Sequence, residues 1–131
     1  MLMPSIASRP DILIGAVVLI LEDHPLISME LQALLAEWGA HAVAVKNIDD
    51  ALRHVNEGTV HLACVNETVH GESSCAVARL LLEREIPFVF VSGYSKAMIE
   101  DTSGLKNIRH VSKPFSQDEL KKALIDALCP G

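Results

Sequence analysis

The sequence predicts an α/β fold, a five-stranded parallel sheet in the order 2-1-3-4-5 with helices on both faces. Three observations lead there. The chain has 131 residues, the size of one ordinary domain. Half of it is hydrophobic, yet aromatic residues make up only 4%, so the apolar content is mostly Ala, Val, Leu and Ile. That composition suits helices packed on a sheet buried on both sides. Finally, short β-branched runs alternate five times with segments of helical period, and right-handed crossovers between parallel strands put the helices on both faces.

Residues 1–14 read as an N-terminal extension, flexible or loosely docked, with Pro4 and Pro10 and no periodicity. Residues 15–131 form the predicted domain. Ala16 to Leu21 is a continuous apolar run, as expected of a central strand. Pro25 suits the first turn of a helix in which Ile27, Leu31, Leu34, Leu35 and Trp38 recur at helical spacing, and Gly39 is the stop signal. Trp38 belongs to the core by this pattern. His41 to Val45 is the second strand. Asn47 can cap a second helix with Ala51, Leu52 and Val55 inward. Val60 to Val65 is the third strand, and a loop through His70 and Gly71 leads to a third helix with Val77, Leu80 and Leu81 inward. Pro87 to Val91 is the fourth strand, with proline at its first residue where no ladder donor is needed. A weak helix around Ser95 to Asp101 and a short strand around Ile108 to Ser112 follow. The last helix opens on Ser116-Gln117-Asp118-Glu119, a capping box, and carries Leu120, Leu124, Ala127 and Leu128 on its apolar face.

Composition excludes several functions. The formal net charge is −6 with no basic cluster, which argues against nucleic acid and against an anionic membrane surface. Three cysteines and six histidines show no metal-ligand spacing, and the thiols suit a reducing compartment. The apolar run Ile12 to Leu21 is too short to span a bilayer and lacks the marks of a signal peptide, so a cytoplasmic location is expected. There is no P-loop, no G-x-G-x-x-G after the first strand and no convergent Ser/His/Asp or Cys/His set. An enzyme is therefore not expected; a small flavodoxin-like protein binding a nucleotide or flavin stays as a remote alternative.

In doubly wound sheets the site lies at the carboxyl ends of the strands. Here those ends carry Glu22-Asp23, Asn66, Ser92-Gly93 and Lys113-Pro114-Phe115. Each alone has a bland reading: asparagine is an ordinary turn former, an acidic pair an ordinary solvated loop, Lys-Pro an ordinary extended strand exit. Together, two carboxylates, a hydroxyl and a lysine at one sheet edge make a site for a hard cation and a phosphate.

These residues also carry a resemblance. Leu19-Ile20-Leu21-Glu22-Asp23-His24-Pro25 resembles the opening of a response-regulator receiver domain, with its acidic pair after the first strand, and Lys113-Pro114-Phe115 resembles the receiver's motif after the fifth. Ser92 falls at the family's Thr/Ser position. The resemblance covers about Val17 to Leu128. Phe90-Val91-Ser92-Gly93-Tyr94 is similar to the strand-4 signature of the FATGUY subgroup, with Val91 and Ser92 departing from it. That subgroup acts in bacterial two-component signalling, often with kinases of the HWE type, and commonly lacks an aromatic switch residue; His110 holds that position here.

The resemblance implies a flavodoxin-like receiver fold and a histidine kinase or other signalling protein as partner. It also implies a phosphate pocket from Ser92 and Lys113, a switch position at His110 and a candidate cis bond before Pro114. For Mg²⁺ it implies Glu22 and Asp23 with the backbone carbonyl of Thr68. The chain departs from the family at Asn66, where receivers carry the phosphoacceptor aspartate. An acyl phosphate needs a carboxylate oxygen as nucleophile, and an amide carries no full negative charge. Adjacent strand residues face opposite ways, so Glu67 is not expected to substitute. The lost carboxylate should weaken the Mg²⁺ site, and Lys113, without an anionic partner at 66, is expected to turn toward Asp23.

Two readings of Asn66 stand at this point. Either the domain is a pseudo-receiver that signals by binding, through its fourth helix, fifth strand and fifth helix, with a homodimer as one form of that contact. Or it is an ordinary phosphoaccepting receiver in which an aspartate has been changed to asparagine. A DNA-binding output would need a second domain, beyond the residues present.

Overall fold

A computed structural model describes residues 13–92, 110–113 and 115–128. The predicted helix around Ser95 to Asp101, the start of the fifth strand, Gly93, Pro114, Cys129 and residues 1–12 lie outside the described residues.

Five strands form one parallel sheet in the order β2-β1-β3-β6-β7: β1 is Val17–Leu21, β2 His41–Val45, β3 Leu62–Val65, β6 Phe88–Ser92 and β7 His110–Ser112. This is the predicted 2-1-3-4-5 order once a small ribbon is set aside. That ribbon pairs β4 (Thr68–Val69) with β5 (Glu72–Ser73) antiparallel, where the sequence suggested a plain loop. His70 and Gly71 join them with φ of 50° and 80°, the two positive values that a tight hairpin turn demands.

The side-chain period of two divides the core. Val18 and Ile20 of β1 face one way with Leu31, Leu34 and Leu35 of α1 (Pro25–Glu37) and Leu120 and Leu124 of the C-terminal helix (Gln117–Leu128). Leu19 and Leu21 face the other way with Ala51 and Val55 of α2 (Ile48–Glu57) and Val77, Ala78 and Leu81 of α3 (Cys75–Glu83). Leu80, expected inward, lies only partly buried at the edge of that cluster, and Ala78 takes the inner position. Phe88 and Phe90, two residues apart on β6 and so on one face, meet edge to face at 5.6 Å. The folded unit also reaches further back than residue 15: Leu13, assigned by sequence to the extension, is fully buried in the first cluster. Its carbonyl accepts the Ala16 N–H, and Gly15 N–H bonds to Gly39.

The helix ends follow their local signals. Asn47 Oδ1 accepts the Asp50 N–H at 2.8 Å, a side-chain N-cap, and Ser116 Oγ accepts the Glu119 N–H at 3.1 Å. Pro25 sits at the start of α1. Gly39, with φ of 83°, turns the chain out of α1 while its N–H and that of Ala40 bond back to Ala36 and Leu35. Trp38 is half-buried against the first cluster, with the Lys121 ammonium 5.4 Å from its ring centroid. Among the described residues no helix is long and apolar enough to cross a membrane.

A Cβ at Gly39 would lie 2.8 Å from Ile14 Cγ1 in a backbone region that side chains disfavour. Gly39→Ala is therefore expected to lower stability by roughly 1–2 kcal/mol, read as a drop in the urea midpoint with an unchanged slope.

Candidate functional site

The carboxyl ends of β1, β3 and β7 deliver Glu22, Asp23, Asn66 and Lys113 to one cleft of about 360 Å³, which Thr68 and Gly71 also line. Parallel register does this: Leu21 pairs with Val65, so the residues that follow each strand leave the sheet side by side. Asn66 N–H bonds to Leu21 O at 3.0 Å and Glu22 N–H to Val45 O at 3.2 Å, which fixes both exits.

Glu22 is buried, with 2% of its surface exposed, and each of its oxygens is engaged. Lys113 Nζ donates to Oε1 at 2.7 Å. Oε2 accepts the His24 N–H at 3.0 Å and the Asn66 amide at 3.2 Å. The same Asn66 Nδ2 donates to Asp23 Oδ1 at 3.2 Å. Asn66 Oδ1 faces the other way and accepts weakly from the Thr68 N–H at 3.5 Å. Asp23 Oδ2 accepts the His70 N–H at 2.9 Å, with the His70 ring 4.0 Å away. Burial works to raise the Asp23 pKa. The N–H donors of His70 and of Asp23 itself outweigh it, with smaller help from Glu22 and the His70 ring, so the net value lies below the ordinary 3.8.

Lys113 does not turn toward Asp23 as expected; it pairs with Glu22. The reason is burial. Asp23 is more open and already has N–H donors from His70 and Asn66, whereas a fully enclosed Glu22 carboxylate needs a counter-charge. Glu67 is not among the residues lining the cleft. Ser92 closes β6 in register with Ser112, and His110 opens β7 opposite Phe90; the side chains of Ser92 and His110 lie outside the described residues. His70 was missed at the sequence level. Its signal was the His-Gly pair, which permits the positive-φ turn that aims its N–H at Asp23.

A family profile, the response regulator receiver domain, matches residues 18–125. The chain belongs to this family. As a receiver domain it is a module of two-component signalling. Its structure is similar to SdrG from Sphingomonas melonis Fr1, at 33% identity over 88% of this chain and 97% of that one, with a TM-score of 0.73. It is also similar in fold to a receiver protein from Sinorhizobium medicae WSM419, at 19% identity over 87% of this chain and 94% of the other (TM-score 0.79). A third likeness, at 17% identity over 87% and 98% of the two chains (TM-score 0.77), is to the receiver domain of a sensor histidine kinase from Pseudomonas aeruginosa PAO1, solved with magnesium in its active-site cleft. None of the curated proteins matches the chain in sequence.

Receiver domains bind Mg²⁺ in this cleft, and the residues present can be tested against that cation. Glu22 and Asp23 offer carboxylates, but the group that approaches both is an amide NH₂, which has no lone pair to give a metal. Among the described residues no cluster of three or more His, Cys, Asp or Glu side chains is placed to hold a metal ion.

Two outcomes follow. Lys113→Met strands the buried Glu22 charge and should cost about 2–4 kcal/mol in chemical denaturation; adding Glu22→Gln should cost less than the sum of the two single changes. Because the folded-state pKa of Asp23 is depressed, its stabilisation is complete above the ordinary value of 3.8 and is lost as the pH falls through the folded-state value. Asp23→Asn should therefore flatten the loss of stability below about pH 4, measured as urea midpoints across a pH series.

Proposed function

We propose that this receiver is a pseudo-receiver that signals through protein contacts without taking a phosphoryl group. One observation carries the reading: the Asn66 amide donates to both Glu22 and Asp23, at 3.2 Å each. In this reading Asn66 holds the phosphoacceptor position. Transfer from a phosphohistidine requires a carboxylate oxygen to attack phosphorus while the imidazole leaves. The atom presented to the acidic pair here is a nitrogen whose lone pair is delocalised into the amide. Its oxygen carries no full charge and is turned to the Thr68 N–H.

Ser92 and Lys113 keep the phosphate-pocket positions and His110 the switch position. Lys113, engaged with buried Glu22, is held in place without an anion at residue 66. Any Mg²⁺ site built from Glu22, Asp23 and the Thr68 carbonyl is weaker than that of an aspartate-bearing receiver. The partner is a histidine kinase or another signalling protein, in the cytoplasm of a bacterium, and a second copy of the domain is a further candidate. The role is binding, not catalysis. Leu26 and Met29, 70% and 63% exposed on α1, leave apolar surface on that helix open to a protein contact.

Incubation with acetyl phosphate and Mg²⁺, followed by intact-mass measurement, tests the reading. The protein as it stands should gain no phosphoryl group and Asn66→Asp should gain one. A phosphoryl adduct on the unaltered chain overturns the reading.

A further inference from the structure

We infer that the Asn66 amide acts as an internal substitute for the divalent cation, so that this receiver cleft excludes Mg²⁺ by competition and not merely by lacking a charge. The inference rests on the reading of the cleft as the receiver site, and it adds a claim about the amide that the loss of a nucleophile does not entail.

Two ionised side chains at one sheet edge repel unless something positive lies between them. In this cleft that something is the NH₂ group, 3.2 Å from Glu22 Oε2 and 3.2 Å from Asp23 Oδ1. The amide bridges the two carboxylates, as a cation coordinated by both would. The remaining oxygens are occupied by fixed donors: Lys113 Nζ on Glu22 Oε1 and the His70 N–H on Asp23 Oδ2, with the His24 N–H sharing Glu22 Oε2. Every carboxylate oxygen of the pair thus has a partner supplied by the chain itself. A hard cation coordinated by both carboxylates would have to displace the NH₂ group that lies between Glu22 Oε2 and Asp23 Oδ1, breaking two hydrogen bonds to charged groups, which are the strong ones.

Rotating the amide does not open the site. A flip would aim Oδ1 at the acidic pair, where its lone pairs face carboxylate oxygens. It would also turn NH₂ toward the Thr68 N–H, donor against donor. The present orientation satisfies both ends of the amide. Residue 66 is only 8% exposed, so water offers little to a side chain that leaves this arrangement.

The competition separates two roles that asparagine could play. If residue 66 merely lacks a charge, removing its side chain leaves cation affinity unchanged or lower, since an amide oxygen is lost as a ligand. If the amide occupies the cation's place, removing it uncovers Glu22 and Asp23 and the affinity rises.

The experiment titrates the full chain, Asn66→Ala and Asn66→Asp with Mg²⁺ by thermal shift, with EDTA as the reference. Mn²⁺ broadening of the His24, Thr68 and His70 amide signals serves as a second readout, and circular dichroism checks each fold. The unaltered chain should show no Mg²⁺-dependent shift. Asn66→Ala should bind at least about tenfold more tightly than the unaltered chain, because the cation no longer competes with the amide's two hydrogen bonds to Glu22 and Asp23. Asn66→Asp should bind tighter still and be less stable in EDTA than in Mg²⁺. If Asn66→Ala binds no better than the unaltered chain, or if the unaltered chain itself shifts with Mg²⁺ and its three amide signals broaden with Mn²⁺, the inference falls. Should Asn66→Ala fail to fold, Asn66→Gly, which removes the same amide, takes its place in the titration with the same two outcomes. None of these readouts depends on phosphoryl transfer, so the inference and the proposed function fail separately.

Discussion

The buried carboxylate of Glu22 is the constraint around which the site is arranged. A charge with 2% of its surface exposed persists only when its lone pairs are filled by donors. Lys113 supplies the counter-charge from the end of β7, the His24 N–H comes from the loop that starts α1, and the Asn66 amide comes from the end of β3. Three separate strand exits therefore meet on one side chain. The two aliphatic clusters on either face of the sheet hold the strands in the register that makes it so.

The same constraint governs the acidic pair. Three carboxylates at a sheet edge would need a cation to hold them together. Here the Asn66 amide donates to both Glu22 and Asp23. The acidic pair is satisfied by the chain, and the small ribbon after β3 completes the arrangement by turning the His70 N–H onto Asp23. Together these contacts close the acidic pair into a hydrogen-bonded network drawn from β1, β3, the ribbon and β7.

Much of this was legible from local pattern. The β-branched run before Glu22, the helical period ending at Gly39, the Asn47 cap and the serine that opens the C-terminal helix each belong to a few residues and a short-range rule. The residues of the cleft were legible because doubly wound topology sends strand ends to one edge. Less visible were features fixed by burial. Leu13 belongs to the core although its neighbours carry no periodicity. His70 and Gly71 form a hairpin turn because the flanking pairs Val69–Glu72 and Thr68–Ser73 can bond, which no periodicity announces over two-residue strands.

The sequence by itself determined the family, the strand order and the uncharged side chain at residue 66, because these depend on residue identity and on periods of 2 and 3.6. Tertiary structure decided which partner each charged group takes. Lys113 could reach for either acidic residue on sequence grounds. Only the depth of Glu22 beneath the surface, set by packing of elements far apart in the chain, made it the stronger claim on the ammonium.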